Sequence, residues 1–142
     1  MKRALILLLA LTLALALTAC RQETPKHPIV AIWTQDYEDG NTRVMFSFEA
    51  VGDAEVVVWR YDAEEDALVE SESYIGEYVI DESDSSVTLE LKRDKQLYEA
   101  KFTYAIDGDT LTLRNDEYDL TLDRAGENTV RQGTPETAAS RA

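Results

Sequence analysis

Side chains able to do covalent or metal chemistry are few in this chain of 142 residues. It has one cysteine, Cys20, and one histidine, His27, which lies between two prolines in the polar segment RQETPKHP, residues 21–28. An HExxH motif needs two histidines and a zinc site needs several Cys or His ligands, so neither can form. No partner remains for His27 as a metal ligand or general base, and we interpret it as a solvated linker residue. With no glycine-rich phosphate loop either, we expect no metal, no cofactor and no enzymatic activity.

Carboxylates are abundant and fall in three clusters, at residues 62–66, 81–84 and 116–119. A calcium site needs about six to eight oxygens converging on one point, and none of the clusters has the spacing of an EF-hand loop. A glycosidase needs two carboxylates on either side of a cleft, and nothing in the sequence fixes such a pair. We therefore interpret the clusters as solvated hairpin tips.

The N-terminal segment has the organisation of an export signal. Lys2 and Arg3 precede an apolar run, residues 4–16, which is shorter than the roughly 20 residues that a transmembrane helix needs. The run leads into Leu17-Thr18-Ala19-Cys20, and this sequence resembles the lipobox of bacterial lipoproteins. We disfavour the alternative, an ordinary signal peptide cut near Ala19, because the only cysteine falls on the position that the lipobox requires.

The resemblance implies lipidation of Cys20, with residues 1–19 as the signal peptide and 20–28 as a lipidated cysteine and tether. Two acyl chains on one sulfur suffice for stable anchoring, so the expected location is exported and bound to a membrane through the lipid. In a Gram-negative cell Arg21, which is not the Asp of inner-membrane retention, favours the outer membrane, on its periplasmic or surface face. In a Gram-positive cell the same signal implies the outer face of the cytoplasmic membrane.

The net charge limits the partners. Removal of residues 1–19 takes away two basic and no acidic residues, which leaves 12 basic against 28 acidic residues and a net charge of −16. Such a chain repels nucleic acid and anionic lipid head groups, so neither is expected as a partner.

The segment from residue 29 to residue 124 has the alternation of half-buried antiparallel strands. In the clearest run, Tyr98, Ala100 and Phe102 alternate with Glu99 and Lys101. Turn sequences such as Asp-Gly separate the runs. We predict strands at about 29–37, 42–50, 54–62, 68–80, 86–92, 97–106, 110–114 and 118–124, and a disordered polar tail over 125–142.

Eight strands with short connections predict an all-β fold, an antiparallel up-and-down meander closed into a barrel that has no exposed edge. With an even count, the first and last strands pair, which brings Trp33 and Arg124 to the same end. Ala31-Ile32-Trp33 and Leu122-Asp123-Arg124 resemble the first-strand Gly-x-Trp and last-strand Arg of lipocalins and related calycin barrels, although Ala31 replaces the glycine. The resemblance covers residues 29–124 and implies that Trp33 and Arg124 form a barrel-closing pair. A generic β-sandwich with Trp33 as a plain core residue is the alternative.

Two functions remain open for such a domain. The lipocalin resemblance implies a non-enzymatic binding module for a small apolar ligand. The other is a packed barrel that binds an envelope protein or inhibits an extracellular enzyme. Large side chains on the predicted inward faces indicate a lumen filled mostly by side chains, with space near Ala100 and Gly76. The seven tyrosines are consistent either with the lining of a pocket or with the ordinary preference of tyrosine for strands. The candidate pocket residues are Trp33, Phe46, Phe48, Trp59, Gly76, Ala100, Phe102 and Tyr104.

Overall fold

The computed structural model describes residues 26–126 of the chain. The predicted signal peptide, Cys20, residues 20–25 of the predicted tether and residues 127–142 of the predicted tail lie outside the described residues. Within them, no helix is long and apolar enough to cross a membrane. The eight strands are β1 (Ile32–Asp36), β2 (Thr42–Phe48), β3 (Asp53–Asp62), β4 (Ala67–Asp81), β5 (Ser86–Arg93), β6 (Gln96–Asp107), β7 (Thr110–Arg114) and β8 (Asp119–Arg124).

The strands pair antiparallel in chain order and β8 pairs with β1, so the sheet is a closed barrel. The predicted fold class, an eight-stranded up-and-down meander, is therefore confirmed. The first strand begins three residues later than predicted, at Ile32, because the chain turns at residues 27–30, where the Val30 amide donates to the His27 carbonyl at 2.9 Å.

Alternate hairpin tips divide the barrel into two ends. The connections at 49–52, 82–85 and 108–109, together with the start of β1 and the end of β8, lie at what we call the closed end. The connections at 37–41, 63–66, 94–95 and 115–118 lie at what we call the open end. Strand lengths differ greatly between the two sides of the barrel: β4 has 15 residues and β6 has 12, whereas β1 and β7 have 5 each.

The hydrophobic core is concentrated toward the closed end. Trp33, Leu111, Leu113 and Leu122 are completely buried, and Ile29, just before β1, is also completely buried. Full burial of one large apolar side chain contributes about 1.5–3 kcal/mol, so this half of the barrel supplies much of the hydrophobic stabilisation.

The inward face of β3 differs from the prediction. Val57, Trp59 and Tyr61 share one face, and the sequence analysis placed Trp59, and with it this face, toward the lumen. Val56 instead pairs with core residue Phe46 and itself joins the core, so the other face of β3 points inward. A break in the β3–β4 register between Val58 and Trp59 marks a bulge or irregularity there. The alternation could not decide the direction, because both faces of this strand are apolar.

A row of four carboxylates crosses the outer face of the sheet. Asp53 pairs with Glu77, Glu77 with Glu90, and Glu90 with Glu99, each directly opposite the next on strands β3 to β6. All four side chains are exposed. Like charges directly opposite each other in a sheet are destabilising, by roughly 0.2–1 kcal/mol per pair.

We predict that Glu90→Lys raises the free energy of unfolding by about 1 kcal/mol, because it replaces two repulsive pairs by two attractive ones. The matched control is Glu70→Lys, which makes the same charge change on β4 where the direct partner on β3 is Trp59. Urea unfolding at low and high salt measures both. Equal stabilisation by the two variants would show that net charge, rather than the row, limits stability.

Candidate functional site

Trp33 fills the closed end of the barrel. Its indole Nε1 donates to the Ile29 carbonyl at 2.9 Å, and the guanidinium carbon of Arg124 lies 4.4 Å from the centroid of its ring. Arg124 Nε in turn donates to Asp109 at 3.0 Å, in the connection between β6 and β7. A cation over an indole is attracted by the ring quadrupole. A side-chain plug therefore fills the lumen at this end of the barrel.

His27 packs against the closed end, and the prediction of a solvated linker residue is wrong for this half-buried side chain. Its Nδ1 accepts the Ile29 amide proton at 3.1 Å. Its Nε2 lies 3.3 Å from the Tyr104 hydroxyl and 3.7 Å from Glu82. The turn at residues 27–30 folds the ring back onto the barrel, where it meets Tyr104 edge-on with 5.7 Å between ring centroids.

A cavity of about 760 Å³ occupies the open end. Its floor is apolar and is formed by side chains of β2, β3, β5, β6 and β8, and its rim carries tyrosines and charged residues from the hairpin tips. The floor residues are Val44, Phe46, Val56, Val58, Leu89, Leu91, Ala100, Phe102 and Leu120. The sequence-based expectation of a mostly filled lumen therefore holds for the closed half of the barrel and is wrong for the open half.

The structure brings three of the predicted pocket residues into the cavity lining: Phe46, Ala100 and Phe102. Trp33 and Phe48 are instead buried in the packed end, where Phe48 meets Tyr78 edge-on with 5.0 Å between ring centroids.

The other predicted pocket residues lie elsewhere. Trp59 lies on the outer face of β3, and Tyr104 contacts His27 at the closed end. Gly76 lies next to a groove on the outer surface, and a Cβ atom there would come within 1.9 Å of the Glu90 carbonyl oxygen. Close approach of β4 and β5, rather than space for a ligand, requires the glycine.

A charged cluster on the cavity wall was not predicted. The Tyr74 hydroxyl donates to Glu72 at 2.8 Å, Arg93 Nη1 lies 3.3 Å from the same carboxylate, and Arg60 Nη2 lies 3.6 Å from it. The hydrogen bond from Tyr74, and then the charges of Arg93 and Arg60, hold the pKa of Glu72 below its usual range. The hydrogen bond to Glu72 raises the pKa of Tyr74. The sequence held one sign of this cluster, the charged Arg60 on the same face of β3 as Val56 and Val58. It was missed because the opposite face of β3 was predicted to point inward.

Tyrosines surround the opening of the cavity. Tyr37, Tyr98 and Tyr118 are 38%, 41% and 53% exposed, and Tyr74 meets Tyr98 edge-on with 5.3 Å between ring centroids. Tyr118 reaches over Phe102 of the floor, with 6.5 Å between their ring centroids. Four of the seven tyrosines thus line this one opening, which favours pocket lining over plain strand propensity for these positions.

Comparison with known proteins gives no relative: no protein-family model, no curated protein and no solved structure matches the chain. The arrangement of the cavity is therefore the main observation that bears on function.

We predict that Glu72→Gln lowers the free energy of unfolding by about 0.5–1 kcal/mol at neutral pH, because the variant loses the charge that pairs with the two arginines. The pKa of Glu72 is lower in the folded than in the unfolded protein, so its contribution is present above the unfolded pKa. It is lost as the pH falls through the folded pKa, and the difference between variant and wild type should vanish there.

Urea unfolding over a pH series measures this difference, with Glu70→Gln on the exposed outer face of β4 as the control. A Glu72→Gln effect that equals the control effect at neutral pH, or that persists in strong acid, would contradict the interaction.

Proposed function

We propose that this protein is a membrane-anchored lipoprotein of the bacterial envelope whose lipocalin-like barrel binds a small apolar ligand without enzymatic activity. The observation that carries the proposal is the cavity at the open end. Its volume of about 760 Å³ lies within the range of roughly 300–1,000 Å³ typical of small-molecule sites. An eight-stranded barrel can be filled by its own side chains or can hold one small ligand. Here side chains fill the closed half, and the open half has space for a ligand.

The polar and apolar side chains of the cavity are separated, as is typical of a ligand site. Nine apolar side chains form the floor, whereas hydroxyl and charged groups are confined to the wall and rim. Ala100 contributes the smallest side chain of the floor. A ligand that buries an apolar body there gains about 25 cal/mol for each Å² removed from water.

The position of the chain ends supports an outward-facing cavity. Lys26 and His27 lead into β1 at the closed end, opposite the cavity. A lipidated Cys20 lies six residues before Lys26, which limits its distance from that point to roughly 20 Å. The closed end would then face the bilayer and the cavity would open toward the aqueous phase, which suits a ligand taken up from solution.

A second candidate is an interaction lipoprotein that binds an envelope protein or inhibits an extracellular enzyme. It is favoured by apolar side chains exposed on the outer face of the barrel, where Ile75 and Leu97 both lie opposite Lys92 and are each 62% exposed. Exposed apolar patches are common at protein–protein interfaces. The same binding experiment separates the two candidates, because this one does not use the cavity.

We predict that the chain from residue 20 to residue 142, carrying Cys20→Ser so that no acyl group competes, binds the neutral dye N-phenyl-1-naphthylamine with one site per molecule. Ala100→Phe should abolish the binding because its phenyl ring occupies the cavity, and should cost little stability because that space is empty. Fluorescence titration measures the first effect and urea unfolding the second.

The matched control is Leu111→Ala at the closed end, which should cost about 2–5 kcal/mol of stability and leave dye affinity unchanged while the protein is folded. Absence of saturable binding to the wild type, or unchanged binding to Ala100→Phe, would favour the interaction lipoprotein.

We predict that Cys20→Ala prevents acylation and releases the protein from membranes, because no other thiol exists in the chain. Metabolic labelling with an alkyne fatty acid and membrane fractionation measure the two effects. Thr24→Ala, which leaves the four residues of the lipobox intact, is the control and should remain labelled. Labelling that persists in Cys20→Ala rules out this anchor.

A further inference from the structure

The charges around the cavity are unequal, and this inequality bears on the ligand that the proposed function requires. Three carboxylates have side chains on the wall or rim, those of Asp39, Glu72 and Glu117, against the two cations Arg60 and Arg93 of the charged cluster. Both cations are engaged by carboxylates of the protein: Arg60 lies 3.6 Å from Glu72, and Arg93 lies 3.3 Å from Glu72 and 3.5 Å from Asp94.

Other carboxylates at the rim have no such neighbour. Within residues 26–126, no basic side chain forms an ion pair with Asp39 or Glu117. Asp39 and Glu117 lie on the β1–β2 and β7–β8 hairpin tips, which are neighbours at the open end, so both charges lie on one side of the opening. An anionic head group at the rim would meet these charges without a free cation to pair with.

The tyrosine rings at the rim also favour a cationic head group. The faces of aromatic rings carry partial negative charge and attract cations, by about 0.5–2 kcal/mol per contact depending on burial. Tyr37, Tyr98 and Tyr118 are partly exposed around the opening, so their rings are accessible to a bound head group. The net charge of −16 on residues 20–142 adds a long-range field that attracts cations to the protein.

We propose that the ligand is an amphipathic cation, with an apolar body in the cavity and an amine or quaternary ammonium group at the tyrosine rim. This inference rests on the proposed function of the cavity. The floor provides the affinity for the apolar body. The rings and unpaired carboxylates of the rim select the charge of the head group.

Calorimetric titration of the residue 20–142 chain carrying Cys20→Ser tests the proposal with three amphiphiles that share one alkyl chain. They are decyltrimethylammonium, decanoate and decanol, each used below its aggregation concentration at neutral pH and low salt. We expect decyltrimethylammonium to bind about tenfold more tightly than decanoate, which corresponds to about 1.4 kcal/mol, with decanol between them. Added salt should reduce the difference, because the rim is exposed to solvent.

Two double variants test whether the rim carboxylates cause the preference for a cationic head group. Asp39→Asn with Glu117→Gln removes two carboxylates beside the cavity, and Asp107→Asn with Asp123→Asn removes two at the closed end. Both change the net charge equally. The rim variant should weaken decyltrimethylammonium binding about fivefold and leave decanol unchanged, whereas the closed-end variant should leave both nearly unchanged.

The outcomes separate this inference from the proposed function. If none of the three amphiphiles binds saturably, the binding function itself fails and the inference fails with it. If decanoate binds as tightly as decyltrimethylammonium, or if the closed-end variant weakens the cation as much as the rim variant does, the cavity remains a binding site but the inference is overturned.

Discussion

The pairing of β1 with β8 is the constraint on which the rest of this structure depends. Only two residue pairs join these strands, Trp33 with Arg124 and Thr34 with Asp123. Just beyond them toward the open end, the side chain of Gln35 accepts the Thr121 amide proton at 3.2 Å in place of a backbone carbonyl. The two strands therefore close the barrel near the plug and are joined more loosely toward the open end.

This short pairing explains why one barrel has two unlike halves. At the closed end all eight strands contribute, and the buried ring of Trp33 fills the lumen, covered by Arg124. Toward the open end the longer strands β3 to β6 continue after β1, β7 and β8 have finished. Hairpin tips carrying Tyr37 and Tyr118 then face the extended strands across a gap, and that gap is the cavity.

The sequence predicts the architecture well because most strands have one apolar and one polar face. Leu111 and Leu113, for example, alternate with threonines, and both are completely buried. The prediction fails for β3, where valines occupy both faces and only pairing with Phe46 decides the direction. The error placed Trp59 in the lumen and hid Arg60, and with it the Glu72 cluster.

The cavity could be located only in part. Ala100 marked it correctly because a small inward residue leaves space wherever the walls lie. Its size could not be predicted, because it depends on unequal strand lengths and on the tips that cover the gap, which are long-range features. Gly76 was misleading for a similar reason: the sequence shows a missing side chain, but only the packing shows that the Glu90 backbone fills the space.

The most direct test of this account is to locate a bound neutral alkyl chain by intermolecular nuclear Overhauser effects to assigned methyl groups. Decanol is a suitable ligand because it does not depend on the charge preference of the rim. The account predicts contacts from the alkyl chain to the methyl groups of Val56, Leu91 and Ala100, and none to Leu111 or Leu122. Contacts to those two closed-end leucines, or only to Ile75 and Leu97 on the outer face, would contradict a barrel that is packed at one end and open to a ligand at the other.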